Sequence, residues 1–145
     1  MYTPNVDTEK RRLGDFGEGE AVKFLRKKGY RIKKRNYAPE GTEIDIVAET
    51  KTDIVFIEVK TRDTDNVGKH EPRPASAVTP KKQRAIIECA KMYLSFYVPK
   101  KRVRFDIIEV YVERDGRKYT VKDIKHLENT FNRNTATADI RWWEK

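Results

Sequence analysis

The sequence predicts an α/β sandwich built around a mixed β-sheet. Two stretches carry apolar residues at helical spacing, and five others read as strands by alternation or by short apolar runs. Their order is helix, three strands, helix, two strands. The second helix is long enough to be a crossover, so the third and fourth strands should run parallel.

The first helix is expected over about Arg11 to Lys28, with residues 1 to about 9 loose ahead of it. Leu13, Gly17, Ala21, Phe24 and Leu25 form its apolar stripe, and Gly29 closes it. A short strand follows from about Tyr30 to Tyr37, and Pro39-Glu40-Gly41 marks a turn. The next two strands contain Glu43-Ile44-Asp45-Ile46 and Phe56-Ile57-Glu58-Val59-Lys60, joined by the polar stretch Glu49 to Asp53. Residues 63 to 78 are the longest irregular stretch, and such loops often carry function. Thr79 is the expected N-cap and Pro80 the first residue of the second helix, which runs to about Tyr97. Val103 to Glu113 reads as a strand, Asp115-Gly116 as a hairpin turn, and another strand begins near Lys118. Residues 1–131 should form a single domain and 132–145 a tail.

Charged residues make up 38% of the chain, and 32 Lys and Arg against 23 Asp and Glu give a net charge of +9. Such a surface suits a polyanion partner, although solubility alone is the plainer explanation. Cys89 is the only cysteine, which excludes an intrachain disulfide and a thiolate zinc site. It reads as a small core residue. His70 and His126 are too far apart in sequence to suggest a metal site. No apolar run is long enough to span a bilayer and no signal-like region opens the chain, so no membrane association and a cytoplasmic location are expected.

The chemistry concentrates in the second and third strands. Side chains alternate along a strand, so Glu58 and Lys60 share one face while Ile57 and Val59 take the other. Asp45 likewise points away from the face of Ile44 and Ile46. A tight turn centred on Lys51-Thr52 sets Asp45 opposite Glu58. Two carboxylates and an ammonium then converge on one patch. Neighbouring acids repel unless a cation lies between them, and hard oxygen ligands favour Mg²⁺. The competing explanation is the wet face of a two-faced sheet. Consecutive Val55, Phe56 and Ile57 argue against it, because they cover both faces of the strand and leave the charges at its buried end.

Glu18 heads a stripe with Ala21, Val22 and Leu25, where an acid is costly without a partner. It either joins the site or hydrogen-bonds at a helix end. Glu20 faces Lys23 and Lys27 and reads as surface. Glu43 shares the face of Asp45, as a supporting acid or a solvated one. Lys82, on the first turn of the second helix, is a candidate phosphate contact. Gln83 lies on the apolar line with Ile86 and either reaches the site or phosphate, or caps. Arg31, Lys33 and Arg35 share one face of the first strand, and Lys100, Lys101, Arg102 and Arg104 form a second basic cluster. Each cluster either tracks a phosphate backbone or is a solvated face. Trp142 and Trp143 either pack on the core or present a patch to a partner.

Glu18, Asp45 and Glu58-Val59-Lys60, in that order, resemble the PD-(D/E)xK nuclease superfamily with its restriction-endonuclease-like, three-layer α/β/α sandwich. More narrowly, the chain is similar to the YraN-like uncharacterised bacterial family of predicted endonucleases. The matching segments include Gly14 to Ala21, Arg35-Asn36-Tyr37, Gly41 to Val47, Val55 to Arg62, Arg104-Phe105-Asp106 and Ile124 to Asn129. An acid-x-Lys triplet alone is common; the ordered set is specific. The family's Gly-Glu-Ile-Asp run appears as Gly41-Thr42-Glu43-Ile44-Asp45, with one residue inserted, and the chain after Phe131 lies outside the resemblance.

The resemblance implies Mg²⁺, with Mn²⁺ able to substitute, held by Asp45, Glu58 and the Val59 carbonyl, with Glu18 joining directly or through water. It implies that Lys60 orients or deprotonates the attacking water and steadies transition-state charge. The reaction would be hydrolysis of DNA phosphodiesters, structure-selective if it follows the superfamily's junction resolvases. Those act as dimers, so a homodimer is one arrangement implied. The competing class is a nucleic-acid-binding module that keeps the fold without turnover, against which Asp45, Glu58 and Lys60 stand together. A third is a protein partner engaged through the 63–78 loop and the Trp142-Trp143 tail.

Overall fold

The computed structural model describes residues 6–64, 78–97 and 100–131. Helix α1 (Val6–Lys27) is followed by β1 (Arg31–Tyr37), β2 (Ile44–Glu49) and β3 (Asp53–Asp63), then α2 (Pro80–Phe96), β4 (Arg102–Asp115) and β5 (Lys118–Leu127). The five strands form one sheet in chain order. β3 and β4 are parallel and the other three pairs antiparallel, as the crossover through α2 requires. The expected tail, most of the 63–78 loop, and Trp142 and Trp143 lie outside the described residues.

Each sheet face carries its own core, and one helix covers each. Ala21, Val22 and Leu25 of α1 pack with Ile46, Val55, Ile57, Ile108 and Val110. Ile86, Ile87, Ala90 and Tyr93 of α2 pack with Val47, Ile54, Phe56, Phe105 and Ile107. Even and odd residues of β3 divide cleanly between the two cores, which is why its apolar run is continuous. The result is the α/β/α layering of a restriction-endonuclease-like fold. Among the described residues, no helix is long and apolar enough to cross a membrane.

Local chemistry sets the element ends. Gly29, at φ 90°, ends α1, with the Tyr30 N–H reaching the Leu25 carbonyl and the Gly29 N–H reaching that of Arg26. The Thr79 hydroxyl accepts from the Lys82 N–H at 3.2 Å, and Pro80 opens α2 without a donor to lose. Gly116, at φ 63°, turns the β4–β5 hairpin. Cys89 is buried as expected, and burial pushes its thiol up to about 11.

Three expectations need correction. α1 starts five residues earlier than Arg11, at Val6. Its first turns are tied down by Glu9, which pairs with Arg12 and, at 2.9 Å, with Arg114 of β4. Arg31 and Arg35 do not share a face, because a β-bulge inserts Lys33 between the Ile32↔Ala48 and Lys34↔Val47 pairs and reverses the alternation. Ile44 and Ile46 do not share one either: Ile44 joins the core under α2 and Ile46 the core under α1. The break lies across from Asn36, a non-glycine residue at φ 52°.

Candidate active site

The site forms where β2 parts from β3. The expected register holds, and Ile46↔Ile57 is the last pair of that ladder. At the next position Oδ2 of Asp45 accepts from the Val59 N–H at 2.8 Å. A side chain thus takes over a backbone ladder bond, which fixes the Asp45 carboxylate beside Glu58. Beyond it β3 continues beside β4 alone, with no β2 partner. A groove of about 750 Å³ follows this open edge, lined by Glu18, Asp45, Glu58, Lys60, Arg62 and Arg114 among others.

α1 reaches the groove because Gly17 lets it lie directly on β3. A Cβ at Gly17 would fall 1.8 Å from the Thr61 Oγ1. Its neighbour Glu18 is thereby brought to Asp45. Carboxylate oxygens of Glu18, Glu43 and Asp45 lie within 4.8 Å of one another. Burial and then the Asp45 charge push Glu18 up to about 8. Burial, followed by the Glu58 charge, raises Asp45 despite its bond from Val59. Glu43 is raised by burial and by its hydrogen bond with Asp45. Glu58 is raised by burial although Lys60 and Lys82 oppose the shift. Burial is the leading cause at all four acids, with their mutual charge adding to it.

Glu58 supplies the most specific observation. Its side chain is 8% exposed, Lys60 Nζ lies 3.6 Å from Oε1, and buried Oε2 has no hydrogen-bond partner. An unpaired buried carboxylate oxygen is costly unless something binds it. The clustered carboxylates are Glu18, Glu43 and Asp45, with Glu58 acting on Asp45 from β3, and all of them offer the oxygen donors that a hard divalent cation such as Mg²⁺ takes. Glu43 takes the supporting place beside Asp45 that the sequence left open, and Asn36 joins the cluster beyond the sequence-based assignment. With its amide nitrogen facing the acids, Asn36 donates to Glu18 Oε2 at 3.1 Å and Glu43 Oε1 at 3.0 Å.

The basic candidates fare differently. Lys82 is close enough to lower both Glu43 and Glu58. Gln83 is buried and donates to the Val78 carbonyl at 2.8 Å, which is the capping alternative. Arg31, Lys33 and Arg35 are not among the residues lining the groove, and Lys33 lies 3.7 Å from Glu49. The second basic cluster is largely consumed internally: Lys101 pairs with Glu49 at 3.1 Å, Arg102 with Asp53 at 2.9 Å, and Arg104 with Asp53 and Asp106. His126, Asp106 and Glu128 also cluster, but Asp106 already accepts from Arg104, His126 and the Asn129 N–H. That network is internally satisfied and structural.

Fold and site together define an α/β protein with a restriction-endonuclease-like layering and an acidic cluster at the open edge of its central strand. Residues 17–110 match the uncharacterised protein family UPF0102. A UPF0102 protein of Chlorobium phaeobacteroides is 43% identical over 122 residues, covering 82% of this chain and 93% of that protein. One from Caldanaerobacter subterraneus subsp. tengcongensis is 40% identical over 123 residues, covering 84% and 96%. The chain belongs to the UPF0102 family.

Proposed function

We propose that the chain is a Mg²⁺-dependent endonuclease that hydrolyses DNA phosphodiester bonds, with branched DNA as a candidate preferred substrate. The observation that carries this reading is the buried Glu58 carboxylate with Oε2 unpaired, fixed beside Asp45 in an open groove. Asp45, Glu58 and the Val59 carbonyl would hold the cation, with Glu18 as a further ligand. Bound there, Mg²⁺ supplies Lewis-acid charge to the phosphoryl oxygen. Asp45 is oriented by the Val59 N–H, so it enters the reaction in one geometry. Lys60, held 3.6 Å from Glu58, orients the attacking water and offsets charge developing on the phosphate. Lys82 adds positive charge from the other helix, and the net charge of +9 favours a polyanion.

The test is cleavage of branched, single-stranded and linear duplex DNA, and of matching RNA, in Mg²⁺, Mn²⁺ or EDTA. Metal-dependent cutting lost in Asp45→Ala and Lys60→Ala supports the reading. Binding without cutting by the purified wild type on every substrate would replace it with a nucleic-acid-binding module.

A further inference from the structure

Asn36 places a neutral amide beside the acids of this site. It sits on β1 across from Asp45, between the Arg35↔Ile46 and Tyr37↔Ile44 pairs, with φ 52°. That left-handed conformation is unfavourable for most side chains and best tolerated by Gly, Asn and Asp. A strand that accepts it gains a side chain aimed where regular alternation would not send it. With its nitrogen turned toward the acids, the amide lies 3.1 Å from Glu18 Oε2 and 3.0 Å from Glu43 Oε1. The reverse amide orientation would set its oxygen against two carboxylates, so the donor orientation is the chemically sensible one. Glu18 comes from α1 and Glu43 from the turn before β2, so one amide joins three segments around Asp45.

We infer that Asn36 is a positioning residue of the cation site, holding Glu18 and Glu43 against their mutual repulsion. This rests on the proposed cation site and deepens it. A lysine there would attract the same acids but would bring a charge that competes with the cation. An amide donates two hydrogen bonds and leaves the site's negative charge intact. Partners that orient metal ligands are worth about 10–100-fold in affinity when removed.

The experiment is Mn²⁺ binding, followed by electron paramagnetic resonance, for wild type, Asn36→Gly and Glu18→Ala/Glu43→Ala with and without Asn36→Gly. Glycine keeps the left-handed backbone and deletes only the amide. The expected result is an affinity about 10–100-fold weaker for Asn36→Gly, with no further loss when both acids are already gone. Unchanged affinity in Asn36→Gly, or an equal loss in the doubly acid-deleted background, would overturn the inference. If wild type binds Mn²⁺ while Asn36→Gly binds equally well, only the role of Asn36 fails. If wild type binds no Mn²⁺, the cation site fails with it.

Discussion

Gly17→Ala measures how tightly α1 must lie on the sheet. The new Cβ would fall 1.8 Å from Thr61 Oγ1 and 2.9 Å from both Thr61 Cβ and Cγ2. The hydroxyl can rotate, but Thr61 Cβ is fixed by the backbone of β3, so the helix itself must retreat. Overpacking of this kind costs about 1–3 kcal/mol. Exchanging Gly for Ala inside a helix returns about 1 kcal/mol, so the net loss should reach about 2 kcal/mol at most. For a chain of this size that is on the order of 5 °C in Tm. Gly19→Ala is the internal control, because nothing lies within 4 Å of its added Cβ. It should gain about 1 kcal/mol. The two variants, two residues apart on one helix, should move in opposite directions in urea or thermal denaturation followed by circular dichroism. Thr61→Ala removes Oγ1 and Cγ2 and should recover most of the loss in the Gly17→Ala background. Equal stabilisation by Gly17→Ala and Gly19→Ala would refute the close contact, and with it the account of how Glu18 is delivered to Asp45.

Asp45→Asn should abolish Mn²⁺ binding while leaving the fold intact, measured by calorimetric titration beside the far-ultraviolet spectrum; retained affinity would remove Asp45 from the site. Metal-free stability should fall with rising pH because of Glu18: its folded value of about 8 lies above the ordinary 4.5, so its stabilising contribution is complete below about 4.5 and lost through about 8. Its partial exposure reduces the change to about 1–2 kcal/mol, and Glu18→Gln should flatten the profile in EDTA. Asp106→Asn should cost about 3 kcal/mol by urea unfolding, because it removes a fully buried carboxylate that accepts from Arg104, His126 and the Asn129 N–H. A loss below about 1 kcal/mol would show that the network is dispensable.

What was legible in the sequence is what short-range physics encodes. The Thr79-Pro80 cap, the Gly29 stop and the Asp115-Gly116 turn depend on a few adjacent residues, and each lies where it was expected. Strand periodicity and one turn were enough to align Asp45 with Glu58, and a crossover of sufficient length made β3 and β4 parallel. The bulge at Lys33 and the left-handed Asn36 were not legible, because both are departures from alternation that pairing with β2 sustains. The second basic cluster was left open for a related reason. Charge along a strand does not reveal its partners, and only the sheet showed that Arg104 bridges Asp53 and Asp106 instead of facing solvent. The sequence by itself determined the layers, the strand directions and the residue types able to bind a cation, since these follow from periodicity and local chemistry. Tertiary structure decided that Glu18, Glu43 and the Asn36 amide gather at Asp45, because they converge only once α1 lies on β3 at Gly17 and β1 pairs with β2.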